Sequence, residues 1–229
     1  MAEIKPLSNI KIYDLEESII ASGYPMRTIA EMREVENNDL KRITSLTHAS
    51  NGNGAHGQWL TGVRVSFDMT FTNKGWVEAE RYRFLEFVSS QSTMHRITKF
   101  DLSNQYNSYV DKRIIKIMKE KVNFYNEFVE RQKSGEEISN EFLKKLYLEI
   151  LYSNPAGFIL TARMTTNYRC LLNIWVQRHD HRLPEWRAFC KQLLELPYFK
   201  DLIKAYYTGG IHLEEEKINE KIRKVWEDK

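Results

Sequence analysis

Cysteine is scarce: two occur in 229 residues, so no disulfide framework organises this chain and a reducing, cytoplasmic setting is expected. No apolar run reaches the roughly 18 residues of a membrane span, and no basic patch joined to an apolar stretch stands near the start. An excess of one charge is also missing. The 34 Lys and Arg against 31 Asp and Glu leave +3 with the signs interspersed, so a pI near 8.7 is weak evidence for nucleic acid, and no DNA partner is expected. Trp59-Leu-Thr-Gly-Val lacks the glycine spacing of a dinucleotide fingerprint or phosphate loop, and no cysteine pair has metal-ligand spacing. Rossmann, Walker and zinc-finger classes are thereby excluded, while an acidic small molecule remains open as a partner.

What is present is 42% hydrophobic and 12% aromatic residues, enough for one core, and neither repeat nor linker divides positions 1–229, so a single domain is expected. Asn9 to Tyr13 alternates as a short strand does, and Asp14 to Ala21 has helical spacing after an acidic start. A second helix is predicted over Asn38 to Leu46, before a Gly- and Asn-rich loop from His48 to Gly57 that is either a floppy connection or a ligand-handling one. Val63, Val65, Phe67, Met69 and Phe71 alternate strictly with polar residues and mark the clearest strand. Helical spacing then predicts a surface helix from Trp76 to about Ser90, a longer one from Val110 to Gln132, and others over Glu141 to Tyr152, Asn167 to Arg178, Pro184 to Leu194 and Tyr198 to Tyr207. Residues 212–229 read as a charged, solvated C-terminal helical tail. The sum is α+β, a small and mostly antiparallel sheet packed with helices.

Two constellations stand out. One is Gln91-Ser-Thr-Met-His95-Arg96 at the end of the first predicted long helix. The other is Asn167, Arg169, Asn173 and Arg178, spaced along neighbouring stripes of a helix otherwise filled by Leu172, Ile174, Trp175 and Val176. Such donors either cap neighbouring loops or meet an anionic ligand whose phosphates or ring carbonyls accept their hydrogen bonds. His179-Asp-His181 supplies too little of a metal shell to be read as a metal site, and Cys170 and Cys190 lie among apolar neighbours as small buried thiols rather than nucleophiles.

Asn167-Tyr-Arg169-Cys-Leu171-Leu-Asn173-Ile-Trp-Val-Gln-Arg178, followed by Pro184-Glu-Trp-Arg187, resembles the C-terminal signature of the flavin-dependent thymidylate synthases, the ThyX family. Asn154-Pro155 is similar to that family's Leu-Pro step, and Leu202 to Gly209 to its closing helix. Gln91 to Arg96 resembles its Gln-x-x-Arg-His-Arg motif, and His48-Ala-Ser50 its His-x-Ser/Thr. The matches run in the family's order over about residues 45 to 210.

The resemblance implies a homotetramer holding FAD where subunits meet, with a pyrimidine nucleotide monophosphate against the flavin. Carried over by position, His48, Ser50, His95, Arg96, Asn167, Arg169 and Asn173 would contact FAD. Gln91, Ser103, Asn104 and Arg178 would contact the nucleotide, with Arg178 the catalytic position. The implied reaction is reductive methylation at C5 of a pyrimidine deoxynucleotide, dUMP to dTMP by default, with methylenetetrahydrofolate and NADPH as co-substrates and no cysteine nucleophile. Met94, Tyr106 and Leu151 stand where the family carries arginines, so either the nucleotide differs, or another cation such as Lys99 or Arg163 replaces the grip, or the protein binds flavin or nucleotide without turnover.

Overall fold

In a computed structural model, which describes residues 5–51 and 54–208, the chain builds a four-stranded sheet with helices on one face. The strands are β1 (Leu7–Tyr13), β2 (Arg64–Thr72), β3 (Glu86–Ser90) and β4 (Ile159–Asn167), in the order β1-β2-β4-β3. Every pairing is antiparallel. The helices are α1 (Leu15–Ala21), α2 (Asn37–Ala49), α3 (Asn73–Ala79), α4 (Thr93–Arg96), α5 (Lys112–Lys133), α6 (Asn140–Ser153), α7 (Tyr168–Arg178), α8 (Pro184–Leu193) and α9 (Phe199–Thr208). Among the described residues no helix is long and apolar enough to cross a membrane.

The alternation of β2 turns Val65, Phe67, Met69 and Phe71 inward, where they meet Trp175, Trp186, Phe189, Leu193 and Phe199 of the covering helices. A smaller core of Ile97, Leu102, Tyr106, Met118, Val122, Ile150 and Phe158 lies under the α5–α6 hairpin. Side-chain caps start the helices where the sequence offers them: Thr72 for α3, Asp111 for α5, Ser139 for α6 and Asn167 for α7 each accept a backbone N–H.

Three expectations are corrected. The helix predicted over Trp76 to Ser90 stops at Ala79, and the chain re-emerges as the edge strand β3, exposed along its whole length. Its Phe87 and Val88 are apolar without being buried, which imitates a helical stripe. The central strand β4 goes unread in the sequence. Its inward Ala162, Met164 and Thr166 alternate with Thr161, Arg163 and Thr165, but only one of the inward three is large and apolar. The loop from His48 is partly regular: α2 continues through Ala49, and Gly54–Thr61 forms a 3-10 segment. The tail, 212–229, lies outside the described residues.

Candidate functional site

At the end of β4, Asn167 Oδ1 accepts the Cys170 N–H at 2.9 Å, so the strand turns directly into α7. Arg169 Nη1 donates to Gln58 Oε1 at 2.9 Å, tying α7 to the 3-10 segment. The same segment lies against the end of α2, where a Cβ on Gly57 would stand 3.1 Å from Ser50 Cβ. Ser50 Oγ donates to the Thr47 carbonyl at 2.6 Å, and His48, two residues before it, is exposed. Asn173, a turn further along α7, is exposed and accepts from Gln177 Nε2 at 3.0 Å. Beside Gln58 opens a groove of about 470 Å³ lined by Ser18, Ser22, His56, Thr61 and Trp59 among others. The Trp59 indole N–H is buried without a hydrogen-bond partner among the described residues. Ser50, Gln58 and Arg169 are therefore brought into one neighbourhood by three separate elements, with His48 exposed on the last turn of α2.

Gln91 lies at the other end of β4. Its backbone N–H donates to the Thr161 carbonyl at 3.0 Å and its Oε1 accepts the Thr161 N–H at 2.9 Å, which leaves the Nε2 group to donate. The chain then leaves the ladder through α4, and regains it where Ile159 N–H donates to the Gln105 carbonyl at 2.8 Å. That excursion carries exposed His95 and Arg96 and the turn Asp101 to Asn104. Asp101 accepts the Ser103 backbone N–H at 3.0 Å and Asn104 Nδ2 at 2.9 Å, bonds that hold its carboxyl below the usual range. Lys119 Nζ of α5 donates to Ser103 Oγ at 2.9 Å.

Arg178 closes α7 inside a network. Its Nε donates to the Tyr82 hydroxyl at 2.8 Å, its Nη1 to Glu78 Oε2 at 2.9 Å, and its guanidinium lies 5.3 Å from the Trp186 ring centre. His181 Nδ1 accepts the Leu183 N–H at 3.2 Å, and its Nε2 lies 2.7 Å from Arg178 Nη1 and 3.1 Å from the same Glu78 oxygen. Burial holds the His181 imidazole below its usual pKa against the opposing pull of Glu78. His179 is stacked on Trp175 with ring centres 4.5 Å apart. Both cysteines are buried, and burial pushes both thiols up, Cys190 the further.

The departures sit as follows. Met94 is 61% exposed on α4, Tyr106 is buried with its hydroxyl donating to Asn154 Oδ1 at 3.1 Å, and Leu151 packs beside Tyr106 in the smaller core. Of the two candidate replacement cations, Arg163 is committed on the open sheet face to the Asn9 carbonyl at 2.9 Å and Asp68 at 3.2 Å. Lys99 is exposed in the excursion.

The sequence-predicted residues thus form three groups, around Arg169, around Gln91 and around Arg178. Thr161 and Asn167 are six residues apart on β4, so the Gln91 and Arg169 groups are separated by roughly 20 Å within one chain. Gln58 was missed altogether, because a single Gln in a Gly-rich segment has no periodicity to betray it; Lys119 and Glu78 were hidden among ordinary helical charges.

No family model matches the chain, and no curated protein sequence does. Solved structures do. The flavin-dependent thymidylate synthase ThyX of Helicobacter pylori, in a crystal structure with FAD and dUMP, superposes with a TM-score of 0.60 at 13% identity over 87% of this chain and all of that one. A second structure of the H. pylori enzyme, also complexed with FAD and dUMP, gives 0.59 at 14% identity over 86% of this chain and 97% of that one. In fold, the chain is similar to the flavin-dependent thymidylate synthases.

Proposed function

We propose that this protein is a flavin-dependent enzyme of the thymidylate synthase type, binding FAD and a pyrimidine nucleotide monophosphate. The observation that carries the reading is the placement of Arg169, set by the Asn167 cap and hydrogen-bonded to Gln58 of the segment that packs on Ser50, in a fold whose solved counterpart was crystallised with FAD and dUMP. The donor set fits the cofactor: a guanidinium, two hydroxyls or imidazoles and an amide suit a diphosphate, and the unpartnered Trp59 indole faces the same need for an acceptor. When bound, FAD supplies the hydride equivalents, with methylenetetrahydrofolate as carbon donor and NADPH as reductant.

The chain's own residues bind and orient. Gln91, its Oε1 occupied by Thr161 N–H, presents Nε2 as a fixed donor to a ring carbonyl. Arg178, held by Glu78 and Tyr82, has its fork aimed before substrate arrives. Neither thiol is placed or ionised for attack. Separation of the Gln91 and Arg169 groups by about 20 Å supports sites completed by a neighbouring copy, and hence a homotetramer, since one chain cannot bring His95, Arg96 and Arg169 onto one small ring system.

The substitution of apolar Met94, Leu151 and buried Tyr106 for arginines favours a nucleotide held less through phosphate than dUMP is. The test is a panel of uridine, deoxyuridine, cytidine and deoxycytidine monophosphates with methylenetetrahydrofolate and NADPH. Methylation of any one supports the enzyme reading; flavin bound without turnover of any leaves a binding protein, and no flavin removes the reading.

A further inference from the structure

We infer that His181 is a positioning residue for Arg178: uncharged, it shares Glu78 with the guanidinium and leaves that fork aimed, and protonated, it draws Glu78 away and loosens it. The inference deepens the proposed function and rests on Arg178 being a nucleotide contact. Four side chains from α3, α7 and the turns that follow them close on one point. Arg178 Nη1 donates to Glu78 Oε2 at 2.9 Å, and His181 Nε2 lies 3.1 Å from that oxygen and 2.7 Å from Arg178 Nη1. The turn holds the ring in place, since Leu183 N–H lies 3.2 Å from His181 Nδ1 and Arg187 Nη1 donates to the His181 carbonyl at 2.7 Å. On the other side Arg178 Nε donates to the Tyr82 hydroxyl at 2.8 Å, and that hydroxyl donates to Gln177 Oε1 at 3.0 Å. Among the described residues nothing is bonded to Arg178 Nη2, so that end of the fork is left for a ligand.

Both ring nitrogens of His181 therefore face N–H donors. A neutral imidazole fits in either tautomer: Nε2 accepts from Arg178, or Nδ1 accepts from Leu183 while Nε2–H and Arg178 Nη1 both donate to Glu78. An imidazolium fits in neither. Its second proton points at an N–H, and its charge stands 2.7 Å from a guanidinium nitrogen. The charged groups acting on the ring are Glu78 from α3, Arg178 from α7, and Glu185 and Arg187 from α8, while Asp180 and Arg182 beside it in the turn are exposed. Burial, with Arg178 and Arg187, holds the imidazole below its usual pKa against the pull of Glu78 and Glu185. Burial pushes the Tyr82 hydroxyl the other way, so it stays protonated while His181 titrates. Once charged, His181 becomes a stronger partner for Glu78 and repels Arg178, which is left with Tyr82. His181 thus has a part to play without a metal, whereas His179 is turned away onto Trp175.

The test has two arms on the full chain. Ring-13C NMR follows the histidines, with His181 assigned through His181→Gln, and the FAD-loaded protein is titrated with dUMP and with deoxycytidine monophosphate at about pH 8 and about pH 5.5, read by flavin absorbance. Without nucleotide, Arg178→Gln should raise the His181 pKa and Glu78→Gln should lower it further. The loss of nucleotide affinity from the higher pH to the lower should be about fivefold or more greater in wild type than in His181→Gln, a comparison in which the nucleotide's own phosphate titration cancels. By reciprocity, bound nucleotide should lower the His181 pKa by the matching amount, and His181→Arg should bind weakly at both pH values. A merely structural histidine would move none of these. Equal losses in wild type and His181→Gln, or a His181 pKa indifferent to Arg178→Gln, overturn the inference and leave flavin and nucleotide binding standing. A protein that takes up neither FAD nor nucleotide overturns the proposed function instead; the two pKa shifts measured without ligand then keep the clamp if present and overturn it if absent.

Discussion

Arg169 and Gln58 are joined by a 2.9 Å hydrogen bond that fastens the start of α7 to a 3-10 segment more than a hundred residues earlier. The bond aims a guanidinium that a helix N-terminus would otherwise leave to wander, toward the segment that packs on Ser50. On the proposed reading, flavin retention should depend on two residues of unequal charge.

Replacing Arg169 with Ala should weaken FAD binding by about 1.5 to 3 kcal/mol, roughly ten- to hundredfold, because a charged donor to a bound anion is lost. Gln58→Ala should cost less, since it removes the aim and keeps the charge. Titration of the apoprotein with FAD measures both, and an Arg169→Ala affinity equal to wild type would remove Arg169 from the site.

The nucleotide panel carries a second expectation. With Tyr106 and Leu151 in the smaller core in place of guanidiniums, dUMP should be a poorer substrate than a differently substituted pyrimidine nucleotide. Turnover kcat/KM compared across the four nucleotides decides it, and dUMP outperforming the rest would locate a replacement phosphate grip, with Lys99 or Lys119 the first to mutate.

How far the sequence disclosed this arrangement follows from what each element needed. Strand β2 was legible because its inward residues are all large and its outward ones all polar. Helices α5 to α9 were legible for the same reason at a period of 3.6 and through caps such as Ser139. Strand β4 was not, since burial by pairing on both edges lets Ala162 and Thr166 do what Leu or Val does elsewhere. On the site side, Asn167, Arg169 and Arg178 were readable as polar residues on an apolar helix. Their partners Gln58, Glu78 and Tyr82 come from distant segments, which no local pattern links.

Gly75 tests the junction between sheet and helices. Its N–H donates to Thr72 Oγ1 at 3.0 Å, and Thr72 in turn donates to buried Glu185 at 2.5 Å. A Cβ there would come 2.7 Å from Phe71 Cδ2 and 3.1 Å from Glu185 Oε1. Gly75→Ala should therefore lower stability by about 1 to 3 kcal/mol, read as a lower urea midpoint with an unchanged slope. An unchanged midpoint would contradict the packing.

Asp39 should contribute to acid stability. Burial opposes its ionisation, but bonds from Arg33, the Glu36 N–H and Arg42 outweigh that and hold its carboxyl far below the usual range. Because the folded pKa lies below the unfolded one, its contribution is complete above about pH 4 and is lost as pH falls further. Asp39→Asn should destabilise by about 3 kcal/mol at pH 7 and flatten the stability profile below pH 4, measured by denaturant unfolding across pH. A wild-type slope retained in the variant would show that other carboxylates set it.

The most direct measurement of the central claim is the flavin itself. The protein, purified without added cofactor and then incubated with FAD, should keep a yellow absorbance through gel filtration and release FAD, identified by chromatography, when denatured. Arg169→Ala treated in the same way should lose most of it. A wild-type protein that emerges colourless and shows no saturable change in flavin fluorescence on titration would contradict the account, whatever its fold.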